Sequence, residues 1–305
     1  MTHPEKRDDL RAHLESRRAQ LEATNAKIEA RAGRNLFFAV GSGLLFGAVF
    51  LVSLFVLKQV FVALVAVLVS VALVELAGAF RVAGRRVPRV GVVLGGLTIV
   101  GGAYFWGSAG MLVGLFAGSA LLTIWRLIEG LMPRYETPPR TLVRDVFSGL
   151  FTLVYVAFLA SFAVLLVEAE DGQWWVFALV LVVVSVDVGA YAAGVTLGKH
   201  KMTPRISPNK TWEGFAGAAV VAMAAGIIVS ITALDQPWWV GAVLGAVVLL
   251  TATGGDLTES LIKRNLGVKD MSSWIPGHGG FLDRLDSVLP SAVGVYGIAL
   301  ALGAA

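Results

Sequence analysis

The stretch 259–287 concentrates the reactive side chains of this chain. It holds four basic residues (Lys263, Arg264, Lys269, Arg284), four carboxylates (Glu259, Asp270, Asp283, Asp286) and His278, in a sequence that is otherwise 56% hydrophobic. Both charge signs in one place suit a metal-bound polyphosphate better than a simple anion trap. Just upstream, Asp256 closes an apolar run. A lone carboxylate inside a span costs ~2.5–3.5 kcal/mol on insertion scales, so it calls for a cation or a hydrogen-bonding partner. Ser260 and Lys263 follow at i+4 and i+7, on the helical face of Asp256. Carboxylate, hydroxyl and ammonium on one stripe could hold a metal, a bridged ligand and a phosphate. Next comes Gly277-His278-Gly279-Gly280, bare backbone whose amides can approach phosphate oxygens. His278 reads equally as a phosphate hydrogen-bond donor, a general acid or part of a structural turn. Asp283 and Asp286 stand at i, i+3 at the mouth of the last span. Either acidic pair alone also reads as an ion-paired helix cap.

A second loop, 196–212, carries Lys199, Lys201, Arg205 and Lys210 around Ser207-Pro208-Asn209-Lys210-Thr211-Trp212-Glu213-Gly214. Pro208 is expected to fix a turn and to restrict Ser207 to an extended conformation. Thr211 resembles an N-cap, with Glu213 in the first turn of the following helix. A helix N-terminus of that kind can hold a phosphate. Gly194 to His200 imitates a P-loop but is one residue short, ends in histidine and follows no strand, so it is not one. Inside the spans, Asp187 and Tyr191 share a face at i, i+4 and suggest a polar cavity. Glu75 reads equally as a packing hydrogen bonder or a functional carboxylate.

The elements that must position these groups are membrane helices. Only 15% of the 305 residues are charged, against about 25% in soluble domains. Apolar segments fall at 36–57, 60–80, 90–106, 109–125, 146–167, 174–195, 213–233, 239–258 and 288–304, long enough to cross a bilayer. The third and fourth are short and glycine-rich, and read either as two spans or as one re-entrant pair. The expectation is an all-α polytopic protein of about nine transmembrane helices in three groups of three. Residues 1–35 form an amphipathic or disordered N-terminal segment, with Leu10, Leu14, Leu21 and Ile28 at near-heptad spacing. Then come a transmembrane group at 36–125, a middle group at 126–212 and a catalytic group at 213–305. The polar 1–35 followed by a full-length span argues against a cleavable signal peptide. With the N-terminus cytoplasmic and the C-terminus outside, the cytoplasmic pieces 1–35, 81–89, 126–145, 196–212 and 259–287 carry all lysines and arginines except Lys58. Trp174, Trp175, Trp238 and Trp239 mark the outer edge. Gly110-xxx-Gly114-xxx-Gly118 and Gly241-xxx-Gly245 are expected to bring helix backbones together. Cysteine is absent, which excludes disulfides and thiolate chemistry.

Taken together, these residues resemble the phosphatidate cytidylyltransferases (CDP-diacylglycerol synthases). The signature runs Ser-x-apolar-Lys-Arg, four residues, Lys-Asp, then His-Gly-Gly before Asp-Arg-x-Asp, and it is met from Ser260 to Asp286. Asp187-x-Gly-Ala-Tyr191 and the Ser207–Gly214 loop are similar to the family's as well. Asn209 stands where relatives often have lysine, and Trp274 fills a variable slot. The resemblance covers roughly 185–290; the first 180 residues match only in being apolar spans. It implies transfer of CMP from CTP to phosphatidic acid, giving CDP-diacylglycerol and pyrophosphate, at the cytoplasmic face of the cell (inner) membrane. It also implies magnesium, with a second, monovalent cation as an option, and a homodimer. By the same resemblance Asp256 and Asp283 hold the metal, Ser260 and Lys263 border it, and Ser207 and Lys210 form the opposite wall. Lys210, Arg264, Lys269, His278, Gly279, Gly280 and Arg284 are then expected around CTP and its phosphates. Asp187, Tyr191, Asp270 and Asp286 are expected to line a secondary polar cavity. Nucleic acid has no place in this reading. The rival readings are a CTP-dependent polyprenol or phytol kinase, an ether-lipid cytidylyltransferase and, from another class, a cation transporter.

Overall fold

The computed structural model describes residues 47–132, 137–272 and 280–305, and these are almost entirely helical. Helix α1 (Gly47–Val56) leads into α2 (Lys58–Val82). Then follow α3 (Arg89–Leu131), α4 (Pro139–Glu168), α5 (Gly172–Leu197), α6 (Trp212–Thr232) and α7 (Trp238–Leu266). The chain ends in the short α8 (Leu282–Leu285) and α9 (Val288–Ala301). Among the described residues six helices, α2 to α7, are long and apolar enough to cross a membrane. The amphipathic reading of 1–35 lies outside the described residues, as do Trp274, His278 and Gly279.

A straight helix of 43 residues would be about 65 Å long, twice the hydrocarbon thickness of a bilayer. α3 is not straight. Trp106 (φ −136°) and Gly107 (φ 62°) break it, and the chain doubles back as a hairpin of two limbs. The glycines of both limbs make this possible. A Cβ on Gly102 would stand 2.2 Å from the Gly110 carbonyl, and one on Gly114 2.3 Å from that of Thr98. Thr98 Oγ1 also donates across the hairpin to the Gly114 carbonyl at 3.0 Å. The glycine spacing read as close helix packing does this work here. It does so again where Gly241 and Gly245 of α7 abut Gly226 and Ala222 of α6.

The region 126–145, expected as a loop, is mostly helix. α3 continues past Arg126 to Leu131, and α4 starts at Pro139, before Asp145. Both charges are buried, 1% exposed, and pair at 2.8 Å. Asp145 also accepts from the Arg86 amide. Mutual neutralisation is what lets the helices extend over charged positions. Trp175 likewise turns inward, 3% exposed, instead of sitting at the edge beside Trp174.

The helical architecture agrees with the all-α expectation, and the loop after α5 is a local exception. It is a two-stranded antiparallel hairpin, β1 (Lys201–Thr203) and β2 (Ser207–Thr211), with Lys201 opposite Thr211 and Thr203 opposite Ser207. The turn is at 204–206, where the Ile206 amide donates to the Thr203 carbonyl. Pro208 therefore lies in a strand and not in a turn. An edge strand of a two-stranded sheet tolerates its missing N–H, and Ser207 is extended as expected.

Polar contacts gather the basic loops at one end of the bundle. Arg144 donates to the Gly84 carbonyl, Arg264 to that of Ile206, and Glu75 near the end of α2 bonds the backbone at 281 and 282. Lys58 lies at the other end, donating to the Ala169 carbonyl. Two packed halves emerge. α2, α3 and α4 surround one another, while α5, α6, α7 and α9 form the second cluster; α4 and α9 meet between them.

Candidate active site

Thr211 ends β2 and caps α6, its Oγ1 accepting from the Gly214 amide at 3.1 Å. Glu213 fastens the hairpin from below, accepting from the Lys199 and His200 amides and contacting the His200 ring. The cap thus expected from the sequence anchors the hairpin that carries Lys210. That lysine reaches across to α7 and pairs with Asp256 at 2.8 Å. Ser260, one turn on, donates to the other oxygen of Asp256 at 3.3 Å. Asp187, Tyr191, Ser207, Asn209, Lys210 and Asp256 line a cleft of about 280 Å³, floored by apolar residues of α5, α6 and α7.

A second cluster adjoins it. Lys263 bridges Glu259, at 2.7 Å within α7, and Asp283 of α8, at 3.0 Å. The other Asp283 oxygen accepts from the Gly280 amide at 2.7 Å. Burial works against ionisation of Asp283. Its hydrogen bonds with Glu259, the Gly280 amide and Lys263 outweigh that and hold its carboxyl below the usual range. Asp286 is pushed the other way, up to about 7, first by burial and then by the charge of Asp256, against the opposing bond from the Ser287 amide. Gly255 permits this proximity, since a Cβ there would stand 2.2 Å from the Asp286 carbonyl. The charges of Asp187, Asp256 and Asp286 act on one another, and Lys210 and Arg284 act on Asp187. The two acidic clusters are therefore one electrostatic unit.

Most of the expected residues converge there: Asp256, Ser260, Lys263, Asp283, Ser207, Lys210, Gly280, Asp187 and Asp286. Tyr191 lines the cleft although its side chain is largely exposed. Arg264 is exposed and ties α7 to the hairpin through the Ile206 carbonyl. Arg284 is exposed beside Asp283. Lys269 and Asp270 are exposed, so the structure does not place Asp270 in a polar cavity: it follows the Gly267 terminus of α7, where the chain leaves the helix for solvent. Two site residues were missed. Glu259 is 1% exposed and its Oε1 has no partner among the described residues; its spacing, i+3 from Asp256 and i−4 from Lys263, was a usable signal. Tyr155 is buried, its hydroxyl has no partner among the described residues, and it feels the charges of Glu259, Asp286 and Asp256. It lies in a π-helical stretch, Leu153–Phe158, of α4, and such bulges often mark functional positions. Nothing in its apolar run announces it. Glu75, which the sequence left open between a packing hydrogen bonder and a functional carboxylate, is bonded to Ser272 and to the amides of Phe281 and Leu282.

The donors here are hard oxygens: carboxylates, a serine hydroxyl and the spare Glu259 oxygen. That chemistry fits magnesium. No three acidic or histidine side chains among the described residues form a cage by themselves. Magnesium does not require one, because one or two carboxylates with waters and substrate phosphates normally complete its shell.

The chain is 41% identical over 272 residues to a phosphatidate cytidylyltransferase of Mycobacterium tuberculosis (strain ATCC 25618 / H37Rv), covering 88% of this chain and 83% of that protein. It is 41% identical over 285 residues to the enzyme of the same name from Mycobacterium leprae (strain TN), covering 91% of each. A Brucella suis biovar 1 (strain 1330) protein, also named phosphatidate cytidylyltransferase, is 38% identical over 178 residues, 58% of this chain and 65% of that one. The profile of the cytidylyltransferase family matches residues 38–302, so the first spans and the lysine–carboxylate clusters alike fall inside it, and the chain belongs to the cytidylyltransferase family.

Proposed function

We propose that this protein transfers CMP from CTP to phosphatidic acid, giving CDP-diacylglycerol and pyrophosphate for phospholipid synthesis. The observation that carries the reading is the pair of bridges Lys210–Asp256 and Lys263–Asp283, which join the two basic loops at one end of the bundle beside the cleft. A phosphate oxygen of phosphatidic acid attacks the α-phosphorus of CTP, and the bond to the pyrophosphate oxygen breaks. The nucleophile is mostly dianionic near neutral pH, its second pKa being about 6, so a strong base is unnecessary. Bringing two polyanions together is the difficulty. Lys210, held by Asp256 in the cleft, and Lys263, held by Asp283, offer cations to the triphosphate and the lipid headgroup, and Arg264, Lys269 and Arg284 add charge around them. Asp256 and Asp283 would hold magnesium, with Ser260 and Glu259 at its border; when bound, the ion would neutralise the triphosphate and favour in-line attack. A monovalent cation is a candidate for the same acidic unit.

The cleft lies at the membrane end that collects the basic loops, and the positive-inside rule makes that end cytoplasmic. We read the whole as nine spans in the cell (inner) membrane, counting the α3 limbs separately, with the N-terminus inside, the C-terminus outside and the protomers paired as homodimers. The test is purified protein with phosphatidic acid and CTP labelled in cytidine. Magnesium-dependent label in the lipid fraction is expected. Phosphorylated lipid without cytidine would instead mark a kinase.

A further inference from the structure

Glu75 belongs to α2, far from the signature loop in sequence, yet both of its oxygens are spent on that loop. Oε1 accepts from the Phe281 amide at 3.1 Å and from the Ser272 hydroxyl, and Oε2 accepts from the Leu282 amide at 2.9 Å. The side chain is 3% exposed. The two amides open α8, a helix of four residues. So short a helix cannot stabilise itself, and its first N–H groups have no acceptors within it. A carboxylate against that end satisfies them and complements the helix dipole. The preceding amide, that of Gly280, is taken by Asp283 itself. Three successive amides are thereby fixed, two by Glu75 and one by Asp283. Gly280 is pressed against the glutamate so closely that a Cβ there would lie 2.8 Å from Oε2.

From this geometry we infer that Glu75 is a positioning residue: from the N-terminal half of the bundle it orders the turn that sets Asp283 against Lys263. The inference rests on the CMP-transfer reading for its kinetic consequence, though not for its structural one. Its oxygens are committed to the backbone, so its role is exerted through Asp283. Ser272 contributes only one of the three bonds and is secondary.

The experiment compares the full-length purified protein with Glu75→Ala, Glu75→Gln and Ser272→Ala. CMP transfer is followed against CTP at saturating magnesium, and backbone hydrogen exchange is followed in metal-free protein. Glu75→Ala is expected to lower kcat about a hundredfold, as misplacement of a reacting group by about an ångström does. The KM for CTP should stay within about threefold. Exchange at Phe281 and Leu282 should accelerate about tenfold or more, with α7 unchanged. Glu75→Gln keeps the shape and one carbonyl acceptor and should fall between, and Ser272→Ala should stay within about threefold of the parent. Parental kcat in folded Glu75→Gln and Glu75→Ala protein overturns the inference, whatever the exchange shows. Loss of activity only in proportion to loss of folded protein overturns it as well. Should the parent itself transfer no CMP, the functional reading falls, and unchanged exchange at 281 and 282 in Glu75→Ala would separately remove the ordering role.

Discussion

Lys210 and Lys263 each grip a carboxylate that we propose as a magnesium ligand. A resting site arranged this way keeps partly buried charges paired until substrate arrives, which matters because an uncompensated carboxylate beside hydrocarbon is costly. Tyr155 departs from that pattern. Its hydroxyl is buried without a partner among the described residues, within electrostatic reach of Glu259, Asp286 and Asp256, and a polar group left so costs about 1–3 kcal/mol. Tyr155→Phe should therefore leave the melting temperature unchanged or raised, while turnover falls about tenfold if the hydroxyl serves the acidic unit. Thermal unfolding in detergent beside initial rates decides this, and undiminished turnover would make Tyr155 a packing residue. At this scale the sequence was readable where partners are close along the chain. Ser260 on the face of Asp256, and Thr211 over Gly214, follow from helical spacing and capping chemistry. The role of Glu75 could not be decided from the sequence, because its partners are 197 to 207 residues away and only the fold brings them together.

At the scale of elements, charge patterns alone set the helix limits too short. Arg126 and Asp145 each looked like loop residues, since an isolated charge is disfavoured in a helix near lipid. As a pair they are stable inside, and the pairing crosses 19 positions that no local pattern reveals. Arg126→Ala would leave Asp145 buried without its partner and should destabilise the protein by about 3–5 kcal/mol. Arg126→Met with Asp145→Leu should recover most of that loss, as measured by thermal unfolding of both variants. The β1–β2 hairpin was missed for a related reason. Pro208 is a turn former in most contexts, but Pro204 lies in the turn segment and the short sheet leaves Pro208 an edge position. The hairpin in α3 was half-visible: its glycines were legible as a packing stripe, and the sharp reversal at Gly107 was not.

For the whole molecule, topology carries the argument, because the cleft must open to the compartment that supplies the nucleotide. The chain has no cysteine, so single cysteines can report sidedness without background. Cysteines at Arg205 and Lys269 should react with a membrane-impermeant thiol reagent only when the cytoplasmic face is open, and one at Gln236 only from outside. Reaction of position 205 from the outside in intact cells would invert the orientation. Lys58→Ala, at the far end from the cleft, should leave CMP transfer within about twofold of the parent, as a surface change remote from the chemistry does. We propose that Asp256 and Asp283, each held by a lysine, jointly serve the CMP transfer. The most direct measurement is CMP transfer by purified Asp256→Asn and Asp283→Asn across a magnesium titration. Both variants should insert, melt near the parental temperature and lose more than about a hundredfold in turnover at every magnesium concentration. Near-parental turnover in either one would contradict the account.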